Sequence, residues 1–389
     1  MKKFFTKINL VLLMVVALFS ASVLSGCKNK GNEFVIGMSG PLTGGAAVYG
    51  LAVQKSAEMA VEEINALGGL NGYKFKLVAT DDMHDPSKVS TNYASLMKQG
   101  MNFSLGCVTT KPCLEFKNLS KDDNLFFITP SATNDSVPEF ANGYQMCFAD
   151  TKQGTFSAQY INSNYEAGSL TIGVLYRAGD DYSQGIYQNF IDAIDTTKFG
   201  NVVVASFNEE NPSSLESQVQ SLRNCTLVFL PIYYTPASTF MTQAKDIISP
   251  NCVYFGCDGL DGIDGIQGFD INTIPQEISY LSHFNSNATT GLAKEFIDKY
   301  TAKNGKDTLN QFGASAYDCV YAIYNALKKA VEAGKNVTPK TSVSELCEIL
   351  KEEFKTLSFN GVTGNNISWD SSGFVNKEAV KYIVKEKNS

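Results

Sequence analysis

From residue 34 onward, short apolar runs alternate with longer stretches whose apolar positions recur every three to four residues. Phe34-Val35-Ile36-Gly37-Met38 predicts a strand. Tyr49 to Ala66 predicts a helix with Ala52, Ala57, Ala60, Val61 and Ile64 on one side, ended by Gly68-Gly69. Tyr73 to Thr80 alternates as a strand, and a helix follows Pro86, a residue suited to a first helical turn. Strand 103–108, helix 114–120 and strand 125–129 complete the first series. After Asp150 the rhythm restarts: helix 153–164, strand 170–176, helix 184–194, strand 202–207, helix 214–222, strand 226–230, helix 236–248 and strand 253–256. Strands joined by helices pair in parallel, so the pattern predicts an α/β chain of two doubly wound parallel-sheet lobes.

The tail departs from this rhythm. A strand is expected at 278–284, then helices at 289–303, 314–333 and 343–355, then short β segments at 359–362, 367–370 and 380–384. Long helices after the second series can pack back on the first lobe.

The first residues set the compartment. Lys2, Lys3 and Lys7 precede an unbroken apolar run from Leu10 to Phe19, long enough for a signal-peptide core and too short to span a bilayer. Leu24-Ser25-Gly26-Cys27 follows and resembles a bacterial lipobox. Residues 1–26 are therefore expected to be a lipoprotein signal peptide, Cys27 the acylated N-terminus, and 27–33 a tether. An exported chain permits disulfides, and Cys225 and Cys252, each starting an apolar run, form a candidate pair.

The 389-residue chain carries 32 basic and 39 acidic residues, and the leader holds three of the lysines and no acid. That balance and the lack of a basic cluster argue against nucleic acid. Only His84 and His283 are histidines. There is no His-Glu-x-x-His, Gly-x-Ser-x-Gly or Cys-x-x-Cys, so no enzyme, metal or cofactor is expected. The loop 39–50 is rich in glycine but fits neither G-x-G-x-x-G nor a phosphate loop. Asp81-Asp82-Met83-His84-Asp85 reads as a solvated strand-end loop rather than a metal site.

Open α/β sheets bind ligands beyond the carboxyl ends of their strands. Thr109-Thr110-Lys111-Pro112 and Thr129-Pro130-Ser131-Ala132-Thr133-Asn134 follow strands in the first half. Their hydroxyls and amides suit a carboxylate, and equally suit helix capping and turns. In the second half, Asp180-Asp181-Tyr182-Ser183, Pro231-Ile232-Tyr233-Tyr234-Thr235 and Cys257-Asp258-Gly259 follow strands. Tyrosines there offer flat walls with polar tips, and Asp258 can take an ammonium or simply begin a turn.

Ile36-Gly37, Gly40-Pro41-Leu42-Thr43-Gly44, the stretch Ala60-Val61-Glu62-Glu63-Ile64-Asn65-Ala66-Leu67-Gly68-Gly69-Leu70-Asn71-Gly72, Asp81-Asp82 and Thr129 to Asn134 together resemble the type I periplasmic binding proteins. The resemblance is to the leucine/isoleucine/valine-binding group, and it runs from about Phe34 to Lys385. It implies a substrate-binding protein that captures an amino acid, branched-chain or a related small zwitterion, by closure of two lobes and hands it to the permease of an ABC transporter. It implies three hinge crossings, placed near 150, 281 and 364, so that lobe 1 is 34–150 plus 282–363 and lobe 2 is 151–281 plus 364–389. It further implies that Thr110, Ser131, Ala132 and Thr133 hold the α-carboxylate and part of the ammonium, that Asp258 pairs with the ammonium, and that Tyr49, Tyr182, Tyr233 and Phe312 line the side-chain pocket. Thr110 and Lys111 stand where the family carries serines, which puts a cation near the carboxylate end. A lipid-anchored, extracytoplasmic monomer is expected. Signalling to a receptor rather than transport is the alternative.

Overall fold

The computed structural model describes residues 31–387. The expected leader, Cys27 and positions 28–30 of the expected tether lie outside the described residues. Strands β1 (Glu33–Gly40), β2 (Lys74–Asp81), β3 (Phe103–Cys107), β4 (Phe127–Thr129) and β5 (Gly143–Gln145) form a parallel sheet in the order β2-β1-β3-β4-β5. A second sheet takes β6 (Ile172–Arg177), β7 (Val203–Phe207), β8 (Leu227–Leu230), β9 (Val253–Gly256) and β10 (Glu277–Ser282). Its order, β7-β6-β8-β9-β10, repeats that of the first. β11 (Phe359–Gly361) and β12 (Gly364–Ile367) form a separate hairpin, and β13 (Val380–Lys385) adds an antiparallel edge to β10.

The alternation expected from the sequence is present because strands covered by helices on both faces must be apolar throughout; β8, Leu-Val-Phe-Leu, is buried at every position. β5 was not foreseen: Gly143-Tyr144-Gln145 is too short to carry a period. Helices also begin earlier than their apolar patterns, at Thr110, Asp150 and Tyr234, since polar first turns carry no hydrophobic signal. Asp180 caps the helix Asp181–Ala193 by accepting from the Ser183 amide at 3.0 Å.

The tail helices do fold back on the first sheet. Helix Gln311–Glu332 packs along helix Ala47–Ala66. At the crossing a Cβ on Gly313 would lie 2.7 Å from Ser56 Oγ and 3.0 Å from the Ala52 carbonyl, so only glycine fits. Phe354, at the end of helix Val343–Phe354, packs on Phe126, Tyr144 and Trp369. The Trp369 indole donates to the Gln145 carbonyl at 2.7 Å, and Gly373 O accepts from the Gln145 amide. The chain therefore stays with the first sheet for about ten residues past the expected crossing at 364.

The expected Cys225–Cys252 disulfide is not formed. The two residues do sit at the starts of neighbouring strands, but Cys225 Sγ packs against Gly173 and Cys252 Sγ turns toward the Val253 carbonyl at 3.7 Å. The eight described cysteines are all buried free thiols. Among the described residues no helix is long and apolar enough to cross a membrane.

Candidate functional site

Residues that follow β1, β3 and β4 meet residues that follow β6, β8 and β9 around one cavity of about 10 Å³. It is lined by Tyr49, Val108, Thr109 and Ser131 from the first unit and Tyr182, Tyr233, Asp258 and Gly259 from the second. Phe312, in the first turn of its helix, completes the wall. Of the expected site residues, Tyr49, Ser131, Tyr182, Tyr233, Asp258 and Phe312 are thus brought together. Thr110, Ala132 and Thr133 are buried and outside the lining.

The acidic wall is built around Asp258, which is 1 % exposed and opens a single 3-10 turn. The Tyr182 hydroxyl donates to Asp258 Oδ1 at 2.8 Å and accepts from the Gly259 amide at 2.9 Å. A Cβ on Gly259 would stand 2.4 Å from that hydroxyl, so glycine is required beside it. Gln153 Oε1 accepts from the Asp258 amide at 3.0 Å. Burial pushes the Asp258 carboxyl up to about 7, against the pull of the Tyr182 hydroxyl.

Tyr182 and Tyr233 stack face to face, 4.5 Å apart and 5° from parallel. Tyr49 meets Phe312 edge-on at 4.9 Å. The Tyr49 hydroxyl crosses between the units, donating to the Gly259 carbonyl at 2.5 Å. Further bonds bridge the same gap, among them Thr235 Oγ1 to the Gly45 carbonyl, the Gln311 amide to Asp261 Oδ2, and Lys111 Nζ to the Gly179 carbonyl, each at 2.8 Å. The last corrects the placement of the Lys111 cation near the carboxylate end: its ammonium reaches across to the rim of the second unit, 4.0 Å from Asp180.

On the first unit, Thr110 is the first residue of helix Thr110–Asp122; its N-cap residue, Thr109, makes no side-chain cap, and the Thr110 amide faces the Tyr233 phenol. The first amides of a helix have no partner within it, which makes this end hospitable to an anion. In the next loop the Ser131 hydroxyl donates to the Val108 carbonyl at 2.6 Å and ties the two loops together. The Ala132 carbonyl accepts from Gln145 Nε2 at 2.7 Å.

Four buried polar atoms near this cavity lack a well-formed hydrogen bond: Thr133 Oγ1 and Asp150 Oδ1, whose side chains face each other, and Gln153 Nε2 and Asp258 Oδ2, whose side chains do the same. Buried polar atoms are ordinarily satisfied by protein or ordered water, so this cluster is a candidate for receiving a ligand's groups. The strip is continuous, since the Asp150 amide donates to the Thr133 carbonyl and Gln153 touches Asp258. Burial also raises the Asp150 carboxyl far above the usual range, with the Asp258 charge adding to the effect.

Asp150 and Gln153 were not foreseen. An acid at a helix start reads as ordinary first-turn chemistry, and Gln153 carries no motif. The expectation of a solvated loop at 81–85 is also corrected. Asp82 and His84 are buried, because Asp82 accepts from Ser39 Oγ at 2.9 Å and the His84 amide at 3.0 Å, drawing the loop inward. Burial raises the Asp82 carboxyl to about 6. Among the described residues no group of three or more His, Cys, Asp or Glu is placed to hold a metal ion.

A family model described as periplasmic binding protein matches residues 33–385. A leucine-, isoleucine-, valine-, threonine- and alanine-binding protein of Pseudomonas aeruginosa is 27 % identical over 92 % of this chain and 91 % of its own length. The crystal structure of the branched-chain amino acid transporter substrate-binding protein LivJ from Streptococcus pneumoniae, in complex with isoleucine, is 24 % identical with a TM-score of 0.77. That match covers 91 % of this chain and 99 % of the other. A solute-binding protein of an ABC transporter from Rhodopseudomonas palustris, in complex with 3,4-dihydroxybenzoic acid, also gives 0.77 at 16 % identity, covering 91 % and 94 %. At these identities the two structural likenesses speak for fold alone.

Proposed function

The chain belongs to the periplasmic binding protein family, and from that premise we propose that it captures an amino acid or closely related small zwitterion for an ABC importer. In this reading the ligand's ammonium meets Asp258 on the second unit, assisted by the Thr133 hydroxyl. Its carboxylate meets the amide and hydroxyl of Thr110 and the Ser131-Ala132 turn on the first. Tyr49, Tyr182, Tyr233 and Phe312 enclose the remainder. The two units close over the ligand by bending at the crossings near 150, near 281 and between 376 and 380, and the closed form is recognised by a permease. A lipid on Cys27 holds the protein at the outer face of the membrane.

The observation that carries the reading is the buried carboxyl of Asp258 at the junction of the two units, which has only neutral side chains, Tyr182 and Gln153, as hydrogen-bonding neighbours. A carboxylate there needs a positive partner, since an unpaired buried charge is strongly disfavoured. An aromatic monoacid, such as the Rhodopseudomonas palustris protein holds, supplies no positive end, so this site favours a zwitterion. Charge-assisted bonds contribute roughly 1.5–3 kcal/mol each, and micromolar affinity corresponds to about −8 kcal/mol, so three or four such bonds suffice. Calorimetry of the purified protein against the free amino acids tests the proposal. Micromolar binding of at least one is expected, and binding of benzoates with no response to any amino acid would overturn it.

A further inference from the structure

We infer that Tyr233 sets the size of the ligand, its phenol standing where a ligand side chain would go, so that the site selects amino acids no bulkier than serine. The inference rests on the amino-acid reading above. The cavity between the units amounts to about 10 Å³, and a single water needs about that much. Tyr233 is one of the four aromatic rings, with Tyr49, Tyr182 and Phe312, that line it. Its ring lies flat on Tyr182, 5.7 Å from the Tyr49 ring and 5.4 Å from His84, which meets it edge-on at 88°. The phenol spans the gap between the units: Asp258 and Asp150 raise its proton affinity and the Thr110 amide lowers it, after burial, the largest cause of its rise, and the Asp180 charge. The ring packs against the main hydrophobic core and the second-unit core alike.

His84 braces the ring from behind. Met83 and His84 hold φ of 55° and 63°, a left-handed backbone that side chains other than glycine adopt at a conformational cost. The Asp82 carboxylate sustains it by accepting the His84 amide. His84 Nδ1 is fixed 2.8 Å from Thr109 Oγ1, and Thr109 itself lines the cavity. A braced, stacked ring resists displacement, so a larger ligand must do work that a small one avoids. Tyr233 is thereby a specificity-determining residue and His84 a positioning residue behind it.

The test is calorimetry with glycine, alanine, serine, leucine and phenylalanine on the wild type, Tyr233→Ala, Tyr233→Phe and His84→Ala, each checked for folding by thermal unfolding. The wild type is expected to favour alanine or serine over leucine by tenfold or more. Tyr233→Ala should raise leucine relative to alanine by at least tenfold. Tyr233→Phe should leave that ratio unchanged, and His84→Ala should move it in the same direction by a smaller factor. A wild type that prefers leucine, or a ratio unmoved in both Tyr233→Ala and His84→Ala, overturns the size limit while leaving the amino-acid reading intact. If Tyr233→Ala fails to fold, the wild-type preference and His84→Ala decide. A folded wild type that binds none of the five sinks the amino-acid reading and the size limit with it.

Discussion

The two sheets share one strand order, and the loops at their carboxyl ends carry opposite chemistry. Beyond β3 and β4 stand Thr109, Thr110, Ser131 and Thr133, small and hydroxyl-bearing, beside an uncapped helix end. Beyond β6, β8 and β9 stand Tyr182, Tyr233 and Asp258, aromatic and acidic. The strand order brings both sets to one place, because residues beyond the carboxyl ends surround the switch point of an open sheet. In the proposed reading, loop composition decides which end of the ligand each side receives. In the second unit the charge rests on one carboxylate. In the first, an anion would be shared among amides and hydroxyls that no single substitution removes.

Removing the concentrated charge should have the largest effect. Asp258→Asn should weaken amino-acid binding by about a hundredfold, since a charge-assisted bond contributes up to roughly 3 kcal/mol. The same change should raise the melting temperature of the ligand-free protein, because a buried acid unwilling to ionise is removed. Calorimetry and thermal unfolding read the two effects, and equal affinity in the variant would take Asp258 out of the site.

Acidification should come next. Burial lifts the Asp258 carboxyl from 3.8 to about 7, so below pH 7 the free protein holds a proton that a bound ammonium must displace. Affinity should then fall by about tenfold per pH unit below 7 and level off above it. The sign for stability is opposite. The folded carboxyl binds its proton more tightly than the unfolded one, so the ligand-free protein should lose stability as pH rises from about 4 to 7. Proton release on binding, measured by calorimetry in buffers of differing ionisation heat, checks the first effect, and pH-dependent melting checks the second.

Tyr182→Phe deletes one hydrogen bond to the Asp258 carboxylate and the acceptor of the Gly259 amide. A loss of about fivefold in affinity is expected, with the pH midpoint of binding moved upward. On the first unit, Thr110→Val should cost only about two- to threefold, because backbone amides remain. A loss as large as that of Asp258→Asn would erase the contrast between concentrated and distributed recognition.

Much of the fold was legible because a sheet covered by helices on both faces forces apolar strands and one-sided helices, and both leave a pattern in the sequence. Tyr49, Tyr182, Tyr233 and Phe312 were found through a resemblance carried by motifs, and the structure gathers them with Asp258 and Ser131. What escaped has no period. β5 is three residues long, and the burial of Asp82 and His84 depends on Ser39, more than forty positions away. Lys111 was placed by its sequence neighbours, whereas its ammonium follows the Gly179 carbonyl across the gap.

The sequence alone determined the alternation of elements, the family, and which loops carry hydroxyls, aromatics and acids, since these are properties of neighbouring residues. Only the tertiary structure decided that Asp150, Gln153, Thr133 and Asp258 form one strip of buried polar groups, and that Tyr233 stacks on Tyr182 in the wall of the cavity between the two units. Burial and the loss of hydrogen-bond partners arise when distant segments exclude water together, and no local pattern encodes which segments those will be.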